Sequence, residues 1–297
     1  MQVQSNRSRL KVIWSKKRHN EVVTPEAEAN TIPFAKGHGT GNDFVIIPDP
    51  HHRYDMKPED VALLCHRRFG IGGDGLLRVV PAGSDSDADW FMDYRNADGS
   101  IAEMCGNGLR VFARYLLDQA LVSGDRLVID TRAGQKIATV SPEGIQIDMG
   151  SAEFGPASWT DVHGFTWTGQ AVSMGNPHLV TQLAESDRLE DLDLTRPPRF
   201  DPDVFPNGVN LEFVTGHYPH VAMRVHERGV GETLSCGTGV AAVAATALRR
   251  HDPDATTGHV TVDVPGGRLE VDVTPESILL SGPATIVAAG RTDLTSP

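Results

Sequence analysis

The sequence contains a second copy of itself. At an offset of 131 to 134 residues, four short motifs of the first half come into register, in order, with four of the second. Gly41-Asn42-Asp43-Phe44-Val45 meets Gly175-Asn176-Pro177-His178-Leu179, and Met104-Cys105-Gly106-Asn107-Gly108 meets Ser235-Cys236-Gly237-Thr238-Gly239. Residues 127–130 with Ala133-Gly134 meet residues 260–263 with Gly266-Gly267, and Ser141-Pro142-Glu143 meets Thr274-Pro275-Glu276. Asn42 precedes Cys105 by 63 residues and Asn176 precedes Cys236 by 60, so the spacing holds as well. One such match is within chance; four in order point to a duplicated fold.

Local patterning repeats with the motifs. Residues 110–117 and 240–248 read as helices, the second so Ala-rich that burial nearly all round is expected. Segments 126–130, 135–140 and 145–149, then 259–264, 268–273 and 277–280, alternate apolar and polar residues between Gly and Pro turns, as antiparallel strands do. The expected class is α+β: two pseudo-symmetric duplicated domains, each a curved, mostly antiparallel sheet or barrel around a central helix, with the active site in the cleft between them. The expected boundaries are 31–150 and 151–281, with segment 282–293 returning to the first domain. A chain of 297 residues, 39% of them apolar, is long enough for two cores.

Residues 1–30 are polar and carry Arg7, Arg9, Lys11, Lys16, Lys17 and Arg18. Their only apolar cluster, Val12-Ile13-Trp14, is too short for a signal-peptide core, so a flexible extension is expected. No 18-residue apolar run occurs elsewhere, and no membrane span is expected. A formal charge of −12 argues against a nucleic-acid or anionic-lipid surface, which needs clustered Lys and Arg, and leaves a small molecule as the expected ligand. Three cysteines cannot form a disulfide framework, which fits a reducing, cytoplasmic home.

In each copy the expected order is strand, Cys-Gly-x-Gly, helix. A thiol there meets unpaired backbone N–H groups and the positive end of the helix dipole, an environment that favours thiolate. The glycines let a ligand approach the backbone, and the same N–H groups can hold a carboxylate. A single cysteine in such a chain is more often a small core hydrophobe. Equivalent placement of Cys105 and Cys236 in a duplicated motif turns that balance towards chemistry: two thiols approaching one carbon from opposite faces, one as thiolate base and one as thiol acid. Cys65 has no counterpart and reads as core. Neither Cys-x-x-Cys nor His-x-x-x-His occurs, so no metal site is expected. The run Gly70-Ile71-Gly72-Gly73-Asp74-Gly75 lacks dinucleotide-fingerprint spacing and reads as a turn, with a substrate-lining loop as the alternative.

These motifs resemble those of the diaminopimelate epimerase family over residues 34–290. The match runs through Gly39-Thr40-Gly41-Asn42-Asp43-Phe44, Asn96-Ala97-Asp98-Gly99-Ser100, Met104-Cys105-Gly106-Asn107-Gly108-Leu109-Arg110, Met174-Gly175-Asn176-Pro177-His178, Asn207-Gly208-Val209-Asn210, and Glu227-Arg228-Gly229-Val230-Gly231-Glu232-Thr233 leading into Cys236-Gly237-Thr238-Gly239. The resemblance implies an isomerase that interconverts LL- and meso-diaminopimelate without a cofactor, on the route to lysine and peptidoglycan, in a homodimer. Carried over by position, it implies Cys105 and Cys236 as the acid/base pair, with His178 and Glu227 helping to hold their protonation states. Gly106, Asn107, Gly237 and Thr238 become an amide cradle for the α-carboxylate, and Asn42, Asn96, Asn176, Asn210, Glu227 and Arg228 the side chains that grip the rest. Where some members carry glutamine, this chain has Gly75.

The nearest rival is a proline or hydroxyproline racemase, which by resemblance shares fold and thiols but binds a ring without a distal amino-acid group. A phenazine-pathway isomerase is not expected to keep two cysteines, and a non-catalytic binding relative is disfavoured by two intact thiol motifs. Two activated thiols in one cleft also raise the expectation of an inactivating Cys105–Cys236 disulfide, provided the Cα atoms come within roughly 7 Å.

Overall fold

The computed structural model describes residues 31–293 apart from 142 and 143, so the expected N-terminal extension lies outside the described residues. Among the described residues, eighteen strands form one hydrogen-bonded sheet that carries the duplication in its topology. In the first half, strands Ile32–Gly39, Asn42–Pro48, Gly75–Pro81, Trp90–Asn96, Arg126–Thr131, Gly134–Ser141 and Gly144–Asp148 are successive neighbours. Their pairings run antiparallel, parallel, antiparallel, parallel, antiparallel, antiparallel. In the second half, strands Phe165–Ser173, Pro177–Gln182, Asn210–His217, His220–Glu227, Gly258–Val264, Gly267–Val273 and Ile278–Gly282 repeat that series pairing for pairing.

The two series meet end to end, Ile278–Gly282 lying antiparallel to Gly144–Asp148. Each half then lends a strand to the other. Glu153–Val162, which follows the first series, pairs with Phe165–Ser173 of the second, and Thr285–Thr292, which follows the second, pairs with Ile32–Gly39 of the first. This exchange ties Glu153–Val162 and Thr285–Thr292 into the same framework that positions the site.

Among the described residues there are three α-helices: α1 (Pro58–Cys65), α2 (Gly106–Asp118) and α3 (Gly237–His251). The last two are the central helices of the halves and start at the residue after each cysteine. Leu109, Val111, Phe112, Ala113 and Leu116 of α2 and Val240 to Ala245 of α3 are buried in one continuous core that also takes in Ile147 and Leu280 from the strands joining the halves. Each fully buried Leu or Phe contributes about 1.5–3 kcal/mol, which makes burial the main force holding the helix N-termini in place. Arg249, Arg250 and His251 in the last turn of α3 complement its dipole. Cys65 ends α1 and is 4% exposed, a core residue as its sequence context implied. No helix among the described residues is long and apolar enough to cross a membrane.

Candidate active site

Both cysteines are helix N-caps with extended backbone, Cys105 at φ −143°, ψ 122° and Cys236 at φ −121°, ψ 113°. The N-termini of α2 and α3 face each other closely: a Cβ on Gly237 would lie 3.6 Å from Gly106 Cα and 3.7 Å from Asn107 Oδ1. A cavity of about 460 Å³ opens between them, lined by both cysteines with Asn42, Tyr94, Asn96, Gly106, Asn107, Asn176, Glu227, Gly237 and Thr238. The duplicated motifs, far apart in the chain, thus share one cleft.

Around Cys105, the thiol donates to Asn42 Oδ1 at 3.7 Å, and its sulfur accepts from the Gly108 amide at 3.5 Å. Asn42 is itself oriented, because its Nδ2 donates to Asp74 Oδ2 at 2.8 Å, and Asp74 is held by Arg67 at 2.7 Å. The glycine-rich turn therefore acts on the cleft indirectly, through Asp74. Asn107 spans the halves, donating from Nδ2 to Asn42 Oδ1 at 3.2 Å and to the Ser235 carbonyl at 3.0 Å. Around Cys236, the sulfur lies 3.5 Å from Thr238 Oγ1, which accepts from Asn176 Nδ2 at 3.3 Å. Glu227 hydrogen-bonds with Cys236 and accepts from the Thr233 hydroxyl.

Electrostatics depart from the expectation of ready thiolates. Burial pushes the Cys105 thiol up to about 11, with the Glu227 carboxylate adding to the rise, and this outweighs the pull of the Gly108 and Asn107 amides and of the Arg110 cation. Cys236 is pushed up well above an ordinary thiol by burial and by the Glu227 and Glu212 carboxylates, against the opposing Thr238 and Gly239 hydrogen bonds. Glu227 is itself raised by burial. The helix N-terminus is present as expected, but desolvating a charge in a narrow cleft is the larger effect. Alkylation of Cys105 by iodoacetamide should therefore accelerate about tenfold per pH unit from neutrality and level off only near pH 11. Levelling off below pH 9 would contradict this balance.

Three of the residues singled out in the sequence do not line the cleft. His178 is fully buried behind Asn176, its ring nitrogens facing Asn176 Oδ1 at 3.1 Å and Glu212 Oε1 at 2.7 Å. Asn210 is 5% exposed and ties two loops, donating to the Pro177 carbonyl and accepting from the Arg228 amide. The Arg228 side chain is exposed and runs over Asn207 and Gly208. Conversely, Tyr94 and Lys136 line the cleft and went unremarked in the sequence. Tyr94 donates to Asn96 Oδ1 at 3.1 Å, and its ring occupies the space beside Gly75, where a Cβ would come 2.8 Å from Tyr94 Cε2. Gly75 thus leaves no room for a side chain, and Tyr94 supplies the polar group nearby.

The model of the family described as Diaminopimelate epimerase matches residues 34–155 and 170–287. A protein of that name from Streptomyces coelicolor is 50% identical over 279 residues, spanning 88% of this chain and 96% of its own length. One from Corynebacterium glutamicum is 48% identical over 277 residues, spanning 89% and 99%. Among solved structures, a phenazine biosynthesis protein of the PhzF family from Bacillus anthracis superposes with a TM-score of 0.65 at 16% identity, over 88% of this chain and 99% of that one. A hydroxyproline epimerase from Agrobacterium vitis gives 0.62 at 12% identity, over 90% and 94%. At such identities the likeness is one of fold.

Proposed function

The chain belongs to the diaminopimelate epimerase family, and from that premise we propose that it interconverts LL- and meso-diaminopimelate by moving a proton off and onto the α-carbon without a cofactor. The observation that carries the reading is the pair of thiols at two facing helix N-termini in one cleft. The α-carboxylate sits between the helices, held by the amides of Gly106, Asn107, Gly237 and Thr238. Their N–H groups and dipoles stabilise the charge that develops on the carbon as its proton leaves. One cysteine removes the proton as thiolate, the other delivers one from the opposite face as thiol, and the centre inverts. Because burial holds both thiols protonated, the cysteine that serves as base first gives up its proton to solvent, and the substrate's α-ammonium supplies the opposing charge that favours the resulting thiolate.

Asn42, Asn96 and Asn176 hold the remainder of the substrate, a neutral amide serving either ammonium or carboxylate. Asn210 and His178 act from behind them, and Glu227 on the Cys236 side sets that thiol's proton. Arg228, with its bidentate fork, reaches a carboxylate once residues 31–150 and 151–281 close over the substrate, and closure excludes water from the reacting centre. The working form is a homodimer in the cytoplasm, as the family resemblance implies.

The reading is tested by supplying LL-diaminopimelate and, in parallel, L-proline, and resolving the stereoisomers formed. Appearance of the meso form with proline unchanged is expected. Racemised proline with unchanged diaminopimelate would establish the rival reading; its support is a fold-level likeness at 12% identity.

A further inference from the structure

The internal repeat supplies a control for one buried pair, His178 and Glu212, of which the sequence motifs cover only His178. In the first half, Phe44 is in register with Gly75 across a parallel pair of strands; in the second, His178 is in register with Asn210 across the equivalent pair. Two residues further on stand Leu77 and Glu212. Leu77 and Phe44 lie beneath the first turn of α2, where a Cβ on Gly108 would come within 3.4 and 3.5 Å of them. Beneath the first turn of α3, a Cβ on Gly239 would come 2.7 Å from Glu212 Oε1. One half therefore supports its cysteine helix on Phe and Leu, and the other places His and Glu at the same two positions.

Both members of the second pair are 0% exposed, and Glu212 Oε2 has no hydrogen-bond partner in the described protein. Burying a carboxylate against a histidine carries a desolvation cost that must be recovered from their interaction, and the first half shows that the fold does not require an ion pair there. From this pair a continuous chain of polar contacts runs to the thiol. Glu212 Oε1 is 2.7 Å from His178 Nδ1, and His178 Nε2 is 3.1 Å from Asn176 Oδ1. Asn176 Nδ2 donates to Thr238 Oγ1 at 3.3 Å, and Thr238 Oγ1 is 3.5 Å from Cys236 Sγ. Because Asn176 turns its oxygen to the imidazole and its amino group to Thr238, the Thr238 hydroxyl hydrogen is left free to point at the sulfur.

We propose that Glu212 is a positioning residue of the reaction: by pinning His178 it fixes the orientation of Asn176 and Thr238, and so the hydrogen bond offered to Cys236. The inference rests on the two-thiol reading above, and it makes the two halves chemically unequal: behind Cys105, Asn42 is held by the exposed Asp74–Arg67 pair, whereas behind Cys236, Asn176 is held by the fully buried His178–Glu212 pair. Glu212 also lies close enough for its carboxylate to oppose ionisation of the Cys236 thiol.

The test compares Glu212→Leu, Glu212→Gln and the double variant His178→Phe/Glu212→Leu in the full chain. Turnover of LL-diaminopimelate is read alongside the iodoacetamide alkylation rate of each thiol without substrate. Glu212→Leu is expected to lower kcat about 100-fold with KM within about threefold, and Glu212→Gln, which keeps a hydrogen-bonding group of the same shape, to stay within about fivefold of the parent. In the Gln variant Cys236 should alkylate roughly tenfold faster while Cys105 keeps the parental rate, because the charge removed faces Cys236 and not Cys105; in the Leu variant the lost Thr238 hydrogen bond offsets part of that gain. Acceleration confined to Cys236, and present in the near-parental Gln variant, separates the loss of a charge from general loosening, which would expose and speed both thiols. If Glu212→Leu does not fold, the double variant, which installs the Phe–Leu pair of the first half, is read in the same way. Parental turnover in a folded Leu variant, or equal acceleration of both thiols, would overturn the proposal. A parent protein without turnover would instead refute the functional reading, and the Cys236 comparison would still be readable.

Discussion

Replacing Cys105 with Ser is expected to lower epimerisation by about 10³- to 10⁴-fold, and replacing Cys236 with Ser by a similar factor, the size of a lost general acid or base. The loss is chemical and not structural, because Ser fits the volume of Cys and is a preferred helix N-cap, so α2 and α3 should start where they do now. A hydroxyl is too weak an acid to exist as alkoxide in a cleft that already holds thiols protonated. The double variant should be little worse than either single one, since on the two-thiol reading both groups act in one step and the first substitution already removes it. Cys65→Ala gives the contrast. It should shift the thermal midpoint by removing a buried sulfur, yet leave kcat at the parental value, because Cys65 lies at the end of α1 among core residues. Steady-state rates and thermal melts of the four variants check the whole set.

Gly266→Ala is expected to cost about 3 kcal/mol or more of stability, at the upper end of overpacking, because the obstruction is main chain and not a movable side chain. The turn between strands Gly258–Val264 and Gly267–Val273 rests on the turn of the first half at Thr40, and a Cβ at Gly266 would overlap the Thr40 carbonyl. The Gly266 amide also donates to Leu234 O at 3.0 Å, just before Ser235 and Cys236, so forcing the turn away disturbs the approach to the thiol. The equivalent position in the first half is Ala133, at the cleft wall. The turn itself therefore tolerates alanine; it is the contact between halves that does not. Ala133→Gly, the reverse exchange, should change stability by about 1 kcal/mol or less. Denaturant unfolding of the two variants separates a local turn effect from a seam effect.

What was legible in the sequence was whatever the duplication repeated. Cys-Gly-x-Gly recurs, so the thiols and the amide groups beside them could be matched. The hairpins after each helix recur too, and their strands lie within a residue or two of where alternation put them. What differs between the copies left no such signal. Glu212 sits in Asn-Leu-Glu-Phe, an ordinary strand pattern in which a Glu reads as the solvent face, and only the packing beneath Gly239 shows that it faces inward. Tyr94 lies in an ordinary strand, and only the packing shows that its ring fills the space beside Gly75. The exchange of strands Glu153–Val162 and Thr285–Thr292 between halves depends on long-range pairing that local periodicity does not encode. The protonation of the thiols is not legible in the sequence for a physical reason: the helix N-terminus can be read from it, whereas the desolvation that outweighs it depends on the two N-termini closing on one cleft.

Deuterium oxide tests the two-thiol account most directly. Incubated in D₂O with LL-diaminopimelate and stopped at early conversion, the meso product should carry one deuterium at the inverted α-carbon, and the recovered LL isomer none. On the two-thiol reading, the proton removed leaves on one cysteine, and the new one arrives from the other, which has exchanged with solvent. Equal deuterium in recovered substrate and product, or protium kept in the product, would mean that a single base serves both faces and would contradict the account.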